Sequence, residues 1–185
     1  RKVQESITKP LLFSPWGMIY WKPIDKVQIL DYTTGISCTE GAYSTMITYK
    51  LHLIRHGATA GNAEGRFIGR TDLPVSEEGF DELARLRDTY DYPRVGAVYT
   101  SPLRRCIQTA EFLYPNSLLT VVDGLQEMDF GAFEGKTIEE LEGEESFGRW
   151  LADSAHNAPP DGETGLQMAE RLVGAVSEVL AHMMQ

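Results

Sequence analysis

The chain has 185 residues, which is one ordinary α/β domain or one domain with an appendage. Hydrophobic residues make up 42% and charged residues 24%, so it can bury a core and is globular rather than disordered. Lys and Arg total 17 against 27 for Asp and Glu, a net charge of −10, which argues against sequence-independent binding to nucleic acid or to an anionic membrane. An anionic ligand would have to be held by local arginines against that global field. The two cysteines, Cys38 and Cys106, are far apart and belong to no Cys/His cluster, which excludes a disulfide framework and argues against zinc. The apolar stretch from Leu11 to Trp21 is interrupted by Pro15 and too short to span a bilayer. It also has no clear small-residue cleavage site, so no signal peptide is assigned and the expected location is cytoplasmic.

In chain order, residues 1–45 carry Pro10, Pro15 and Pro23 among several aromatics, with short strands expected at Met18–Trp21 and Val27–Leu30. Gly35, Gly41 and the surrounding Ser and Thr read as loop. A different texture starts at Met46, with a strand expected over Tyr49–Arg55. Ser76 followed by Glu77 and Glu78 reads as a helix N-cap with acidic residues in the first turn. Gly96–Thr100 is a short apolar strand, and Ser101-Pro102 predicts a helix start, with the helix running to about Tyr114. Leu118–Val122 is the next strand. Thr137 with Glu140, and Thr164 with Gln167, are capping boxes, the second opening the longest helix. The apolar stripe of that helix is Ala169, Leu172, Val173, Val176, Val179, Leu180 and Met183. Strands alternating with helices from residue 49 onward predict an α/β layered domain.

Three local features carry chemistry. Leu53-Ile54-Arg55-His56-Gly57-Ala58-Thr59, followed by Asn62, is an apolar strand ending in Arg-His-Gly. Ligands in open α/β sheets bind beyond the carboxyl ends of strands. A neutral imidazole there can attack phosphorus, and an adjacent guanidinium offers a planar, charged fork for phosphate oxygens. Nearby cations also disfavour imidazolium, which keeps the ring nucleophilic. Ser101 through Ala110 sits at a second strand-to-helix junction, where free N–H groups and an arginine of the first turn can clamp an anion. Of Arg104 and Arg105, one is expected to be a solvated surface residue. Leu125 through Gly135 follows a strand, and Glu127 there can serve as general acid for a leaving alkoxide. Each feature alone is also compatible with a bland reading, as a satisfied histidine, surface arginines and an acidic loop.

In this order the three features resemble the histidine phosphatase superfamily, which includes the phosphoglycerate mutases. The resemblance runs from about Met46 to the C-terminus. It adds Gly65 through Pro74 with Gly79, and Asp161-Gly162-Glu163-Thr164, which is similar to the family's Gly-Glu-Ser helix start. It implies a phosphoglycerate mutase-like, three-layer α/β/α sandwich with a mostly parallel sheet. His56 would become phosphohistidine; Arg55, Arg105 and Asn62 would hold the phosphoryl oxygens; Glu127 would protonate the leaving group and then help activate water. Gly57, Thr59, Ile68 and Gly69 would line the substrate site. Ile68 is apolar where relatives commonly carry polar residues. No metal or cofactor is implied, since the arginines take the role of a cation. Gly69–Pro74 and Phe130–Gly135 look like the small bacterial phosphatases, among them the α-ribazole phosphatases, so the implied partner is a small phosphorylated metabolite. A phosphomutase and a non-catalytic phospho-ligand binder are the alternatives. Oligomeric state is not readable.

The family carries a second histidine in a His-Gly element on a strand after the long C-terminal helix. Here none of His52, His156 and His182 is followed by Gly, and the role is carried onto none of them. The expectation is a histidine phosphatase domain over 46–185, incomplete at its C-terminus and lacking its last strand or strands. In the family that strand pairs beside the nucleophile strand, an edge that Val27–Leu30 is available to cover. Residues 1–45 are expected to be either an unrelated extension or upstream sequence translated in frame before a start at Met46.

Overall fold

The computed structural model describes residues 30–36 and 47–185, with side chains from residue 49 onward. The strand expected at Met18–Trp21 lies outside the described residues. Strand β1 (Leu30–Ile36) runs antiparallel to β2 (Ile47–Leu53), in a register that pairs Leu30 with Leu53 and Ile36 with Ile47. Of the strand expected at Val27–Leu30, residues 27–29 lie outside the described residues. The first described strand takes in Thr33, Thr34 and Gly35, which the sequence reads as loop. The second starts two residues early and leaves Ile54 and Arg55 in the turn. Antiparallel pairing along all seven positions overrides the weak local preference of Thr-Thr-Gly.

Helix α1 (Ala60–Ala63) is a single turn. Helix α2 (Glu77–Thr89) starts where the sequence places it, with Ser76 Oγ accepting from Gly79 N–H at 3.1 Å and Glu77 and Glu78 at the positive end of the dipole. Strand β3 (Val98–Thr100) pairs in parallel with β4 (Leu119–Val121), and between them runs α3 (Arg104–Leu113). The start of α3 differs from expectation. Its N-cap is Leu103, and the N–H of Arg104 is satisfied from another loop, by Asp72 Oδ1 at 2.7 Å. Ser101 Oγ reaches only Leu103 N–H, at 3.4 Å. The described strands therefore form one antiparallel and one parallel pair, with β2 and β3 in separate two-stranded sheets, rather than a single mostly parallel sheet.

Helices α4 (Ile138–Leu141), α5 (Glu145–Ala152) and α6 (Gly165–Met183) complete the order, and both predicted capping boxes are present. Two apolar clusters hold these elements. Val122, Ala175 and Val179 join α6 to β4, with Tyr99, Leu125 and Met183 packed around them. Phe133, Leu141 and Phe147 form the second, flanked by Phe67, Phe130 and Trp150, with Phe67 and Phe130 ring centres 5.2 Å apart. The buried face of α6 is shifted from the expected stripe: Ala175 and Val179 are buried, whereas Val173 is 67% exposed and Val176 and Ala169 face outward. Among the described residues no helix is long and apolar enough to cross a membrane.

Candidate active site

The β2 strand delivers Arg55 and His56 to a turn closed by Gly57. The Gly57 N–H is buried and donates to Thr109 Oγ1 at 2.9 Å, while the Thr109 hydroxyl donates to Arg105 O at 2.6 Å. One hydroxyl therefore ties the histidine turn to the first turns of α3. His56 Nδ1 lies 2.7 Å from Gly57 O. A carbonyl can only accept, so Nδ1 carries the proton, and in the neutral ring Nε2 holds the free electron pair. Burial first, then the charges of Arg105 and Arg55, push the His56 pKa down from 6.5 to about 4, although its bond to Gly57 O acts in the opposite direction. The ring is therefore neutral at physiological pH.

Arg105 is 1% exposed, whereas Arg104 is exposed. The Arg105 guanidinium donates from Nη1 to Thr71 O at 3.0 Å and from Nη2 to Gly69 O at 2.8 Å, and its buried Nε has no protein partner. These acceptors are neutral, so the positive charge is oriented without being cancelled. On the other side of the histidine turn, both Thr59 N–H and Thr59 Oγ1 donate to Asn62 Oδ1 at 2.9 Å. Two donors on one oxygen fix the amide orientation and leave the Asn62 Nδ2 hydrogens uncommitted among the described residues. Thr59 is buried and serves as the N-cap of α1.

The remaining sequence-predicted residues divide. Gly69 is buried against the 128–134 segment, where an added Cβ would overlap Met128 O and come within 2.8 Å of Phe130 Cδ2. Ile68 is half-buried and packs on α1: a Cβ at Gly61 would sit 2.5 Å from Ile68 Cγ1. Glu127 is half-buried, with its carboxylate accepting from Met128 N–H at 2.9 Å. Its charge acts on the Cys106 thiol together with Arg105, which puts the acid near the start of α3. Burial is the main cause that pushes that thiol up.

Several structuring residues are given no role by the sequence reading, although Glu134 and Glu163 lie within motifs that it singles out. Glu134 accepts from the backbone N–H groups of Gly69, Arg70, Thr71 and Phe130 and from Thr71 Oγ1. Burial alone would raise its pKa, but this set of donors, led by Thr71 and Arg70, holds it below the usual carboxylate value. It thereby shapes the loop whose carbonyls orient Arg105. Arg171 of α6 and Glu163 similarly hold the segment around Glu127. Both belong to long-range pairings that local spacing cannot reveal, although a lone arginine among apolar positions of a helix is a weak hint. A cavity of about 340 Å3 opens between α6 and the β3–β4 pair, lined by residues such as Tyr99, Val122, Glu178 and His182, and none of the candidate site residues lines it.

Compared with known proteins, residues 51–185 match the family described as histidine phosphatase superfamily, branch 1. A protein of Cronobacter sakazakii named "probable phosphoglycerate mutase GpmB" is 30% identical over 135 residues, covering 71% of this chain and 63% of its own length. The adenosylcobalamin/alpha-ribazole phosphatase of Escherichia coli K12 is 30% identical over 136 residues, covering 70% of this chain and 67% of its own. The crystal structure of the alpha-ribazole phosphatase from Shigella flexneri superposes with a TM-score of 0.63 at 24% identity, over 69% of this chain and 65% of that one. At that identity the likeness concerns the fold.

Proposed function

Because the chain belongs to the histidine phosphatase superfamily, branch 1, we propose that it hydrolyses a small phosphomonoester through a phosphohistidine at His56. The observation that carries this is the state of the His56 ring: neutral, its Nδ1 proton committed to Gly57 O, with Arg105 and Arg55 acting on it. Nε2 attacks phosphorus and the ester P–O bond breaks. Glu127 gives its proton to the leaving oxygen. Arg55, Arg105 and the Asn62 amide hold the phosphoryl oxygens as charge shifts among them. In the second half, water attacks the phosphohistidine, Glu127 takes the water's proton, and the N–P bond breaks to release phosphate.

The proposed catalytic unit is residues 46–185, and the proposed substrate is a phosphorylated metabolite such as α-ribazole 5'-phosphate. The Gly69–Pro74 and Phe130–Gly135 runs and the phosphatases among the relatives support that choice. Phosphomutase activity is the second reading, supported by a relative with a mutase name. It differs in requiring activation by a bisphosphorylated primer. The test is phosphate release from p-nitrophenyl phosphate and α-ribazole 5'-phosphate by the wild type and by His56→Ala. Release that disappears in the variant supports the proposal, and equal release in both overturns it.

A further inference from the structure

The backbone that carries Glu127 is held by one ion pair. Arg171, in the second turn of α6, donates from Nη1 to Gly124 O at 2.9 Å and to Gln126 O at 2.8 Å, and from Nη2 to Glu127 O at 3.4 Å. The same guanidinium bonds both carboxylate oxygens of Glu163. Glu163 then closes the other end of the segment. Its Oε1 accepts from Asp129 N–H at 3.0 Å, and its own N–H donates to Asp129 O at 3.0 Å. Glu127 thus has its own carbonyl and those of Gly124 and Gln126 held by the cation, and the peptide at Asp129 held by the anion. The pair is largely shielded from solvent, with side-chain exposures of 22% for Arg171 and 15% for Glu163. Arg70 adds a link to the phosphate-side loop, bonding the Gln126 side chain and approaching Glu163 Oε1 at 3.8 Å.

This arrangement has more bonds than helix docking requires. Val122, Ala175 and Val179 already seat α6 on the sheet. The guanidinium gives its donors to three carbonyls of one short loop, Gly124, Gln126 and Glu127 itself, which is the pattern of a group fixing a backbone path. We propose that Arg171 and Glu163 act as positioning residues for Glu127, holding the 124–129 backbone so that its carboxyl meets the leaving oxygen. The inference rests on the reading of Glu127 as general acid.

Protonation of the leaving group matters most when that group is a poor one. The test compares Arg171→Gln and Glu163→Gln with wild type and Glu127→Gln on two substrates. One is 2,4-dinitrophenyl phosphate, whose leaving group departs unaided, and the other is phenyl phosphate, whose leaving group needs a proton. Arg171→Gln is expected to lose about 10- to 100-fold in kcat/KM on phenyl phosphate, a part of what a general acid contributes. On the dinitrophenyl ester the loss in kcat/KM is about threefold or less, because that ratio covers only the steps through departure of the leaving group and not the later activation of water. In the Glu127→Gln background, Arg171→Gln then adds little further loss on phenyl phosphate, because the group it positions is already gone. Equal losses in kcat/KM on both substrates, or additive losses in the double variant, would mean that the pair is only structural and would overturn the inference.

Amide hydrogen exchange of Gln126 and Asp129 gives a readout independent of turnover. Faster exchange in Arg171→Gln, with α6 still protected, is expected, and unchanged exchange overturns the positioning role. Should the wild type cleave neither ester, the phosphatase reading fails, and exchange alone decides whether the pair holds the segment.

Discussion

Lowering the pH should weaken the fold specifically through His56. In an unfolded chain this histidine titrates near 6.5, while in the fold burial and the charges of Arg105 and Arg55 push it down to about 4. Between those values the unfolded state binds a proton that the native state does not. Stability therefore rises with pH in that window and falls as pH drops through it. At about 1.4 kcal/mol per pH unit, the contribution amounts to about 3 kcal/mol, fully lost near pH 4 and absent as an effect above about pH 7. The assay is urea denaturation of the wild type and His56→Asn at half-unit steps from pH 7.5 to pH 4. The asparagine amide can still donate to Gly57 O but does not titrate. Other groups, including the carboxylates of Glu134 and Glu163, titrate in both proteins and cancel in the difference. The wild type should lose stability relative to the variant progressively below pH 6.5, levelling near pH 4. A difference curve flat across that range would refute the claim that the native ring is buried and neutral among cations.

Two further substitutions test how the site is built. Thr109→Val removes the acceptor of the buried Gly57 N–H and should cost about 1–3 kcal/mol by urea denaturation, whereas Thr109→Ser keeps the hydroxyl and should cost much less. Equal losses would show that the hydroxyl link does not matter. Gly69→Ala forces a methyl into Met128 O and the Glu134 carboxylate and should cost more than about 3 kcal/mol or abolish cooperative unfolding. Gly148→Ala, within α5 and facing open space, should instead stabilise by about 0.5–1 kcal/mol.

What the sequence made legible was local. Ser76, Thr137 and Thr164 announce helix starts because a cap bonds to a neighbour three residues on. The junctions at His56 and Arg105 were readable because chemistry-bearing residues sit beside glycine or proline at strand ends. Ser101 misled because the N–H it was expected to satisfy is taken by Asp72, distant along the chain. The α6 face was misread because Val173 and Val176 lie beside Ala175 and Val179, giving two overlapping apolar stripes, and only packing against Val122 selects one. Strand β1 was missed in part because its Thr-Thr-Gly composition gains from pairing what it lacks in propensity. Glu134, Glu163 and Arg171 lie in or near readable runs, but the partners that give them their roles, residues 69–71 for Glu134 and residues 124–129 for the pair, are tens of residues away.

Four described arginines of this acidic protein show two electrostatic situations. Arg66, Arg85 and Arg171 pair with carboxylates, so each is largely neutralised where it stands. Arg105 instead donates to the carbonyls of Gly69 and Thr71 and forms no ion pair among the described residues. A buried guanidinium with neutral acceptors keeps its field, and burial reduces the screening that salt imposes on exposed charges. That field is the largest charge effect on His56. The Glu134 carboxylate instead accepts from the backbone N–H groups of residues 69–71, the same loop whose carbonyls hold Arg105. The loop thus offers its N–H groups to the carboxylate and its carbonyls to the guanidinium. A net charge of −10 consequently does not prevent a local positive field at the histidine, because the loop geometry determines which acids reach which arginines.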